Sequence, residues 1–386
     1  MYRQQTKQII KDLDKKVVFL VGPRQVGKTW LAKEIAKGYK KAVYLNYDRF
    51  EDREIMKYEQ WLEDTDLLIL DELHKMKGWK NYLKGVYDTK PENLKIMVTG
   101  SARLETFRKS GDSLVGRFFV HRLMPLSLAE LKQNNGVKKG SAQEAKIGKE
   151  KIEKFLERGA FPEPFLATTN IEADRWRAQY IDGLVRTDIL DFEKINDFKA
   201  IQLVFELLRR KVGSPISYLS IAEDVGISPT TVKKYINIFE ALYIIFKVAP
   251  YSKKIARSIL KEPKIYFYDN GLIIGDEGIK FENFVAVSLL KNIMGKNDVS
   301  GKNEKLQCLR TKEGKEVDFA LINNENEISE IIEVKLSDNE ISKNLIYFAG
   351  RYSLEGRQIV KNLKREKSVG GIKVVRAQDY LEKLFL

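Results

Sequence analysis

The stretch Gly22-Pro23-Arg24-Gln25-Val26-Gly27-Lys28-Thr29 decides how the first third of this chain is read. It satisfies the pattern G-x-x-x-x-G-K-[ST] at every fixed position. An apolar run, Val17–Val21, precedes it, and a stretch with helical character, Trp30–Lys37, follows. Strand, glycine-rich turn and helix in that order make a phosphate cradle. The glycines let backbone amides turn inward, and the helix N-terminus adds partial positive charge. All eight residues from Gly22 to Thr29 are therefore expected to contact a nucleotide. Lys28 is expected to reach the β- and γ-phosphates, and Thr29 to ligate Mg²⁺. ATP and Mg²⁺ are the expected cofactors.

Working outward, Asp66-Leu67-Leu68-Ile69-Leu70-Asp71-Glu72 holds four consecutive apolar residues that end in two carboxylates. A buried strand of this kind delivers Asp71 to its C-terminal end, where it holds the Mg²⁺ shell. Glu72 is then placed to orient or deprotonate an attacking water. A third apolar run, Ile96–Thr99, ends in Gly100-Ser101-Ala102, which makes Thr99 and Ser101 candidates for contact with the γ-phosphate or that water. Arg103 and Arg117 are candidate arginine fingers. A finger acts on a neighbouring subunit's nucleotide, so a homo-oligomer is expected with it.

The surrounding chain sets the boundaries. At 386 residues it is too long for one small core. The apolar run Ala241–Phe246 ends at Lys247, far short of the ~20 residues a membrane span needs. The first residues are polar, without the apolar run of a signal peptide. One cysteine, Cys308, excludes an internal disulfide, and two histidines, His74 and His121, exclude histidine metal clusters. No membrane association and a cytoplasmic location are expected. The formal net charge of +14 favours a polyanionic partner, nucleic acid foremost.

Four blocks follow from the patterning. Residues 1–130 alternate short apolar strands with amphipathic segments, as α/β domains do. Residues 131–212 read as a linker, 131–150, and a helical connector. Residues 213–253 read as a winged helix, and 254–386 return to strands and helices.

These motifs resemble the extended AAA-type ATPases of bacteria and archaea, whose C-terminal half is a domain of unknown function (4143). The resemblance rests on Gly22–Thr29, Asp71-Glu72-Leu73-His74 and Thr99-Gly100-Ser101-Ala102-Arg103-Leu104. It extends through Ser113-Leu114-Val115-Gly116-Arg117, Leu123-Met124-Pro125-Leu126-Ser127, Gly159-Ala160-Phe161-Pro162-Glu163-Pro164, Arg175, Trp176 and Tyr180-Ile181. Arg186-Thr187-Asp188 departs from the Arg-Asp-Ile more usual there. The resemblance implies a P-loop domain that binds and hydrolyses ATP, and names no biological substrate.

Ile216–Ile236 reads as helix-turn-helix. Leu219 and Ala222 form an inner face, Gly226 makes the turn, Ser228 is an N-cap and Pro229 opens the second helix. Val232, Tyr235 and Ile236 pack inward, while Lys233 and Lys234 point elsewhere. From Lys199 to Lys261 there are 11 basic and 4 acidic residues, which favours phosphate-backbone contact with DNA.

In the last block Glu282 lies on an amphipathic helix, Asp318 on the strand Glu316–Leu321, and Glu333 and Lys335 on Ile331–Lys335. The polar turn Asn323–Glu327 makes the two strands a hairpin. Period-two geometry puts Glu333 and Lys335 on one face. The pattern resembles the restriction-endonuclease-like (PD-(D/E)XK) fold, with Glu282 as its helix carboxylate. It implies Mg²⁺ binding and phosphodiester cleavage. Two function classes fit the sequence: an ATPase that binds or processes DNA, and a nucleotide-gated signalling or scaffold ATPase whose nuclease-like domain is inert.

Overall fold

The computed structural model describes residues 3–100, 114–131, 142–184, 189, 197–252, 262–311, 313–337 and 340–386. The chain divides into two compact units, 1–125 with 241–243, and 126–240 with 244–386.

The first unit is an α/β layer structure. Its strands are β1 (Val17–Val21), β2 (Ala42–Asn46), β3 (Leu67–Asp71), β4 (Lys95–Thr99) and β5 (Phe118–Arg122). Its helices are α1 (Thr6–Leu13), α2 (Lys28–Ala36), α3 (Phe50–Lys57) and α4 (Trp79–Thr89). The sheet order is β2-β3-β4-β1-β5 and every pairing is parallel. All five residues of β1 and of β3 are buried. That is why these strands read as unbroken apolar runs: a parallel sheet covered on both faces has no wet side. Phe19, Leu68, Leu70, Leu83 and Val98 pack in one core with Trp79, whose ring meets Phe19 edge-on at 6.0 Å. Each such buried side chain contributes about 1.5–3 kcal/mol.

Parallel register carries all the C-terminal strand ends to one edge. Asn46 pairs with Asp71, Asp71 with Thr99, Leu20 with Thr99, and Val21 with Arg122. The loop Gly22–Gly27 leaves from that edge, where open α/β sheets bind their ligands.

The second unit begins with helices α5 (Ala142–Arg158), α6 (Pro162–Leu166) and α7 (Asn170–Gly183). The expected linker 131–150 is corrected here, because α5 starts at Ala142. Ala, Gln, Glu and Lys in this stretch are good helix formers. Its mid-helix Gly148 is buried: a Cβ there would lie 2.1 Å from the Gln378 side chain. Close packing explains the glycine, and the glycine hid the helix.

Next come α8 (Phe198–Arg210), α9 (Tyr218–Val225) and α10 (Pro229–Ala241). The hairpin-like pair β6 (Ile245–Val248) and β7 (Lys264–Phe267) follows, antiparallel. Ser217 caps α9 through Ser220 N, Gly226 closes it at φ 77°, and Ser228 caps α10 by accepting from Thr231 N at 3.1 Å. Leu219 does not face inward. It is 59% exposed, and Ile221 and Ala222 form the buried side of α9.

The final part is α11 (Glu277–Ser300), β8 (Lys305–Arg310), β9 (Glu316–Ile322), β10 (Ile328–Lys335), α12 (Lys343–Tyr352), β11 (Gly356–Val360), β12 (Lys367–Val369), β13 (Ile372–Arg376) and α13 (Ala377–Leu381). The strands form one mixed sheet in the order β12-β13-β11-β10-β9-β8. β9 and β10 are an antiparallel hairpin, whereas β10–β11 and β11–β13 are parallel. Val317, Ile331, Leu345 and Phe348 share a core beneath α12. No described helix is long and apolar enough to cross a membrane.

Candidate functional site

The loop between β1 and α2 has the backbone its glycines require. Gly22 has φ 142°, and a Cβ on it would lie 2.2 Å from the Leu123 carbonyl oxygen. Any larger residue would push the loop away from Leu123, the residue just past β5. Gly27 has φ 96° at the entry to α2, a left-handed conformation that side chains resist. Lys28 is 8% exposed, and its Nζ donates to the carbonyls of Gly22 at 3.0 Å and Pro23 at 2.6 Å. The ammonium thus lies over its own loop, where a phosphate would sit.

Asp71 is the centre of the geometry. It is 4% exposed at the end of β3. Thr29 Oγ1 donates to its Oδ2 at 2.9 Å, and Tyr44 Oη donates to the same oxygen at 2.6 Å. Thr99 Oγ1 donates to Oδ1. Three hydroxyls from α2, β2 and β4 therefore fix one carboxylate. Burial, together with Asp71, raises the Tyr44 pKa, so the phenol remains a donor. Tyr44 was not among the expected site residues. Its strand is not a neighbour of β1, and only the register that pairs Tyr44 with Ile69 brings it to Asp71.

Glu72 follows in a left-handed turn, φ 56°, with its amide bonded to the Thr99 carbonyl. Burial raises its pKa, Lys75 opposes this, and Asp71 adds to it. Its carboxylate lies 3.6 Å from both His74 Nε2 and Lys75 Nζ. Thr29 and Asp71, a hydroxyl and a carboxylate side by side at a helix N-terminus, fit the donor set of a Mg²⁺–nucleotide complex.

Arg117 does not join this group. It precedes β5, whose Phe118 pairs with Val17 at the start of β1, so it sits at the edge opposite the loop. Its Nε and Nη2 grip Asp88 at 2.9 and 3.3 Å. It does not reach this chain's own phosphate loop. Ser101 and Arg103 lie outside the described residues, as does the Arg186-Thr187-Asp188 segment.

A second cluster lies in the other unit. The Asp318 carboxylate accepts from Val334 N at 2.9 Å, which ties β9 to β10 beside Glu333. Glu333 Oε1 is 3.0 Å from Lys335 Nζ. Glu282, on α11, accepts from Tyr266 Oη at 2.7 Å. Asp318 lies close enough to act electrostatically on both Glu282 and Glu333, and Glu333 pairs with Lys335. Burial and then Asp318 push both Glu282 and Glu333 up to about 7. Lys264 and Lys335 respectively pull them back.

Sequence reading missed Lys264, on β7. It is 3% exposed, and its Nζ lies 2.5 Å from Glu316, 3.5 Å from Asp318 and 3.6 Å from Glu282. Burial works against its charge, yet Asp318, Glu282 and Glu316 outweigh that and raise its pKa. Among the described residues no group of three or more His, Cys, Asp or Glu is disposed to hold a metal ion. Lys233 and Lys234 are exposed on α10.

Residues 14–132 match the model of the AAA domain. Residues 149–280 match a Domain of unknown function (DUF8612), where the sequence resemblance points to domain 4143. An uncharacterized protein of Methanocaldococcus jannaschii, MJ1544, is 26% identical over 86% of this chain and 78% of its own length. An uncharacterized protein of Mycobacterium tuberculosis is 21% identical over 67% of this chain, which spans 55% of that relative. Among solved structures, a Walker-type ATPase of Pyrococcus abyssi covers 70% of this chain and 93% of its own, at 14% identity and a TM-score of 0.45. A RuvB variant of Thermotoga maritima covers 63% and 88%, at 19% identity and a TM-score of 0.31. The first third of the chain is thus similar to AAA-type ATPases in sequence.

Proposed function

We propose that this chain is a Mg²⁺-dependent ATPase whose nucleotide site is Gly22–Thr29 with Asp71 and Glu72. The observation that carries it is the convergence of Thr29, Tyr44 and Thr99 on Asp71 beside a lysine folded over its own loop. Lys28 exchanges two carbonyl partners for phosphate oxygens. Thr29 and Asp71 hold the metal, which supplies charge neutralisation when bound. Glu72, its pKa raised by burial, positions and accepts a proton from the attacking water. Ser101 keeps its sequence assignment as a contact for the same water in this reading. Arg117 serves a neighbouring subunit's nucleotide within a homo-oligomer.

The helix pair α9–α10 with β6 and β7 supports a winged-helix reading. Exposed Lys233 and Lys234 support contact with the DNA backbone. The clustering of Glu282, Asp318, Glu333 and Lys335 supports a restriction-endonuclease-like C-terminal domain. The buried Lys264 among those carboxylates favours a second reading, in which that domain is inert and the ATPase serves signalling or scaffolding.

The test is ATP turnover with Mg²⁺, measured with and without single-stranded and duplex DNA, with the DNA checked for cleavage in the same tubes. Turnover stimulated by DNA supports a DNA-acting ATPase. Turnover indifferent to DNA, with no DNA binding at low salt, supports the signalling reading. Absence of Mg²⁺-dependent turnover in every tube overturns the ATPase assignment.

A further inference from the structure

We propose that Lys264 is a built-in counter-cation: its ammonium takes the position among Glu282, Glu316 and Asp318 that a divalent ion would occupy, and closes this carboxylate face to metal. The proposal rests on the nuclease-like reading, which makes a divalent cation the expected ligand.

The lysine is placed by backbone, not by chance packing. Lys264 opens β7 and pairs with Val248 of β6. Its backbone also bridges to Pro215. On either side, Gly213 N donates to Ile265 O at 3.0 Å and Ile216 N to Pro263 O at 3.0 Å. The segment between α8 and α9 therefore clamps β7 and aims the side chain at the sheet. The same segment walls off Glu282, since a Cβ on Gly213 would lie 3.0 Å from Glu282 Oε1.

The electrostatics agree. Four carboxylates gather here, Glu282, Glu316, Asp318 and Glu333, with Lys335 at one side and Lys264 at the centre of three of them. A lysine has three donors and no acceptor, and this ammonium ion-pairs with three acids, Glu316 nearest and Glu282 farthest. A divalent ion needs oxygens converging at about 2.0–2.6 Å. With the ammonium among them the oxygens stand 2.5–3.6 Å from its nitrogen, wider than that shell, so an ion enters only when the ammonium is gone and the carboxylates close in. Displacing the ammonium would leave a buried charge without its partners, a strongly unfavourable change.

The test is calorimetric titration of Mn²⁺ into the full-length, nucleotide-free chain. The forms compared are wild type, Asp318→Asn, Lys264→Met and the double variant. Any ion held at Thr29 and Asp71 contributes equally to all four. We expect the wild-type and Asp318→Asn isotherms to coincide. Lys264→Met should gain one site at least about tenfold tighter than any in the wild type, lost again in the double variant. A wild-type site that disappears in Asp318→Asn overturns the proposal. So does a folded Lys264→Met protein that gains nothing. The comparison of wild type with Asp318→Asn decides the matter even where Lys264→Met does not fold, because the amide oxygen that replaces the carboxylate still accepts from Val334 N. Single-stranded and duplex DNA in parallel tubes separate the two readings. Lys264→Met that binds Mn²⁺ and leaves DNA intact keeps the counter-cation and removes the nuclease. Wild type that cuts DNA through Asp318 does the reverse.

Discussion

Thr29 Oγ1 donates a 2.9 Å hydrogen bond to Asp71 Oδ2, joining the end of the phosphate loop to the end of β3. Forty-two residues apart in sequence, the two meet because parallel register carries both to one sheet edge. This pair is the proposed metal anchor. Asp71→Asn and Thr29→Val should each lower kcat by about 10²-fold or more, the scale of lost electrostatic stabilisation at a charged transition state. Steady-state turnover over a Mg²⁺ series checks this, and a rise in KM alone would contradict it.

Tyr44 holds the same carboxylate oxygen from the far side. Its hydroxyl bonds to Asp71, so its proposed role is to position that carboxylate. Tyr44→Phe should therefore raise the Mg²⁺ concentration for half-maximal turnover by about two- to tenfold, one net hydrogen bond's worth. ATP affinity without metal should stay unchanged. An unaltered Mg²⁺ requirement would show that Thr29 and Thr99 suffice.

Glu72 is raised in pKa by burial and sits one residue beyond Asp71. Glu72→Gln keeps the shape and removes the base. Turnover should fall about 10²–10⁴-fold while nucleotide binding persists, as for a lost general base. Equilibrium binding of a fluorescent ATP analogue beside the hydrolysis assay separates the two effects.

The C-terminal carboxylates predict an uncommon pH dependence. Glu333 is pushed up to about 7 from an ordinary 4.5, by burial and Asp318, with Lys335 opposing. Its folded-state pKa lies above the unfolded one, so the folded form holds a proton that the unfolded chain has lost between those values. Its contribution is fully present below about pH 4.5 and fades as pH rises through 7. Glu333→Gln should be nearly neutral at pH 5 and stabilising by about 1–3 kcal/mol at pH 8. Denaturant midpoints of this unit's unfolding at both pH values decide it. A difference that does not move with pH would place Glu333 in a less buried setting.

Lys233 and Lys234 stand exposed on α10. If they meet DNA phosphates, replacing both with Gln should weaken binding similarly for all sequences. The slope of log affinity against log salt should shrink by about two. An unchanged slope would move the contact off this helix.

The candidate nucleotide site was legible where it is local. Gly22–Thr29 carries its chemistry in eight adjacent residues, and β3 announces Asp71 by being apolar on both faces. Tyr44 was not legible, because its role depends on which strand pairs with β3. Arg117 illustrates the same limit: the motif around it is local, but the edge of the sheet it occupies follows from the pairing of Phe118 with Val17. Alternation and a polar turn gather Asp318, Glu333 and Lys335, whereas Glu282 joins them only through the resemblance to the restriction-endonuclease-like pattern. Lys264 escaped because a single lysine opening a four-residue strand has no periodic signature. The first turns of α5 read as linker because Gly148 interrupts a run of good helix formers, and packing against Gln378 is what explains that glycine.

The most direct test of the central claim is ATP binding and hydrolysis by Lys28→Ala, measured with Mg²⁺ against the wild type. Lys28 folds its ammonium onto the loop's own carbonyls, where the phosphates would lie. ATP affinity should fall by about tenfold or more and turnover should be lost, with the fold intact by circular dichroism. Affinity and turnover equal to the wild type would contradict it, and with it the assignment of Gly22–Thr29 as the nucleotide site.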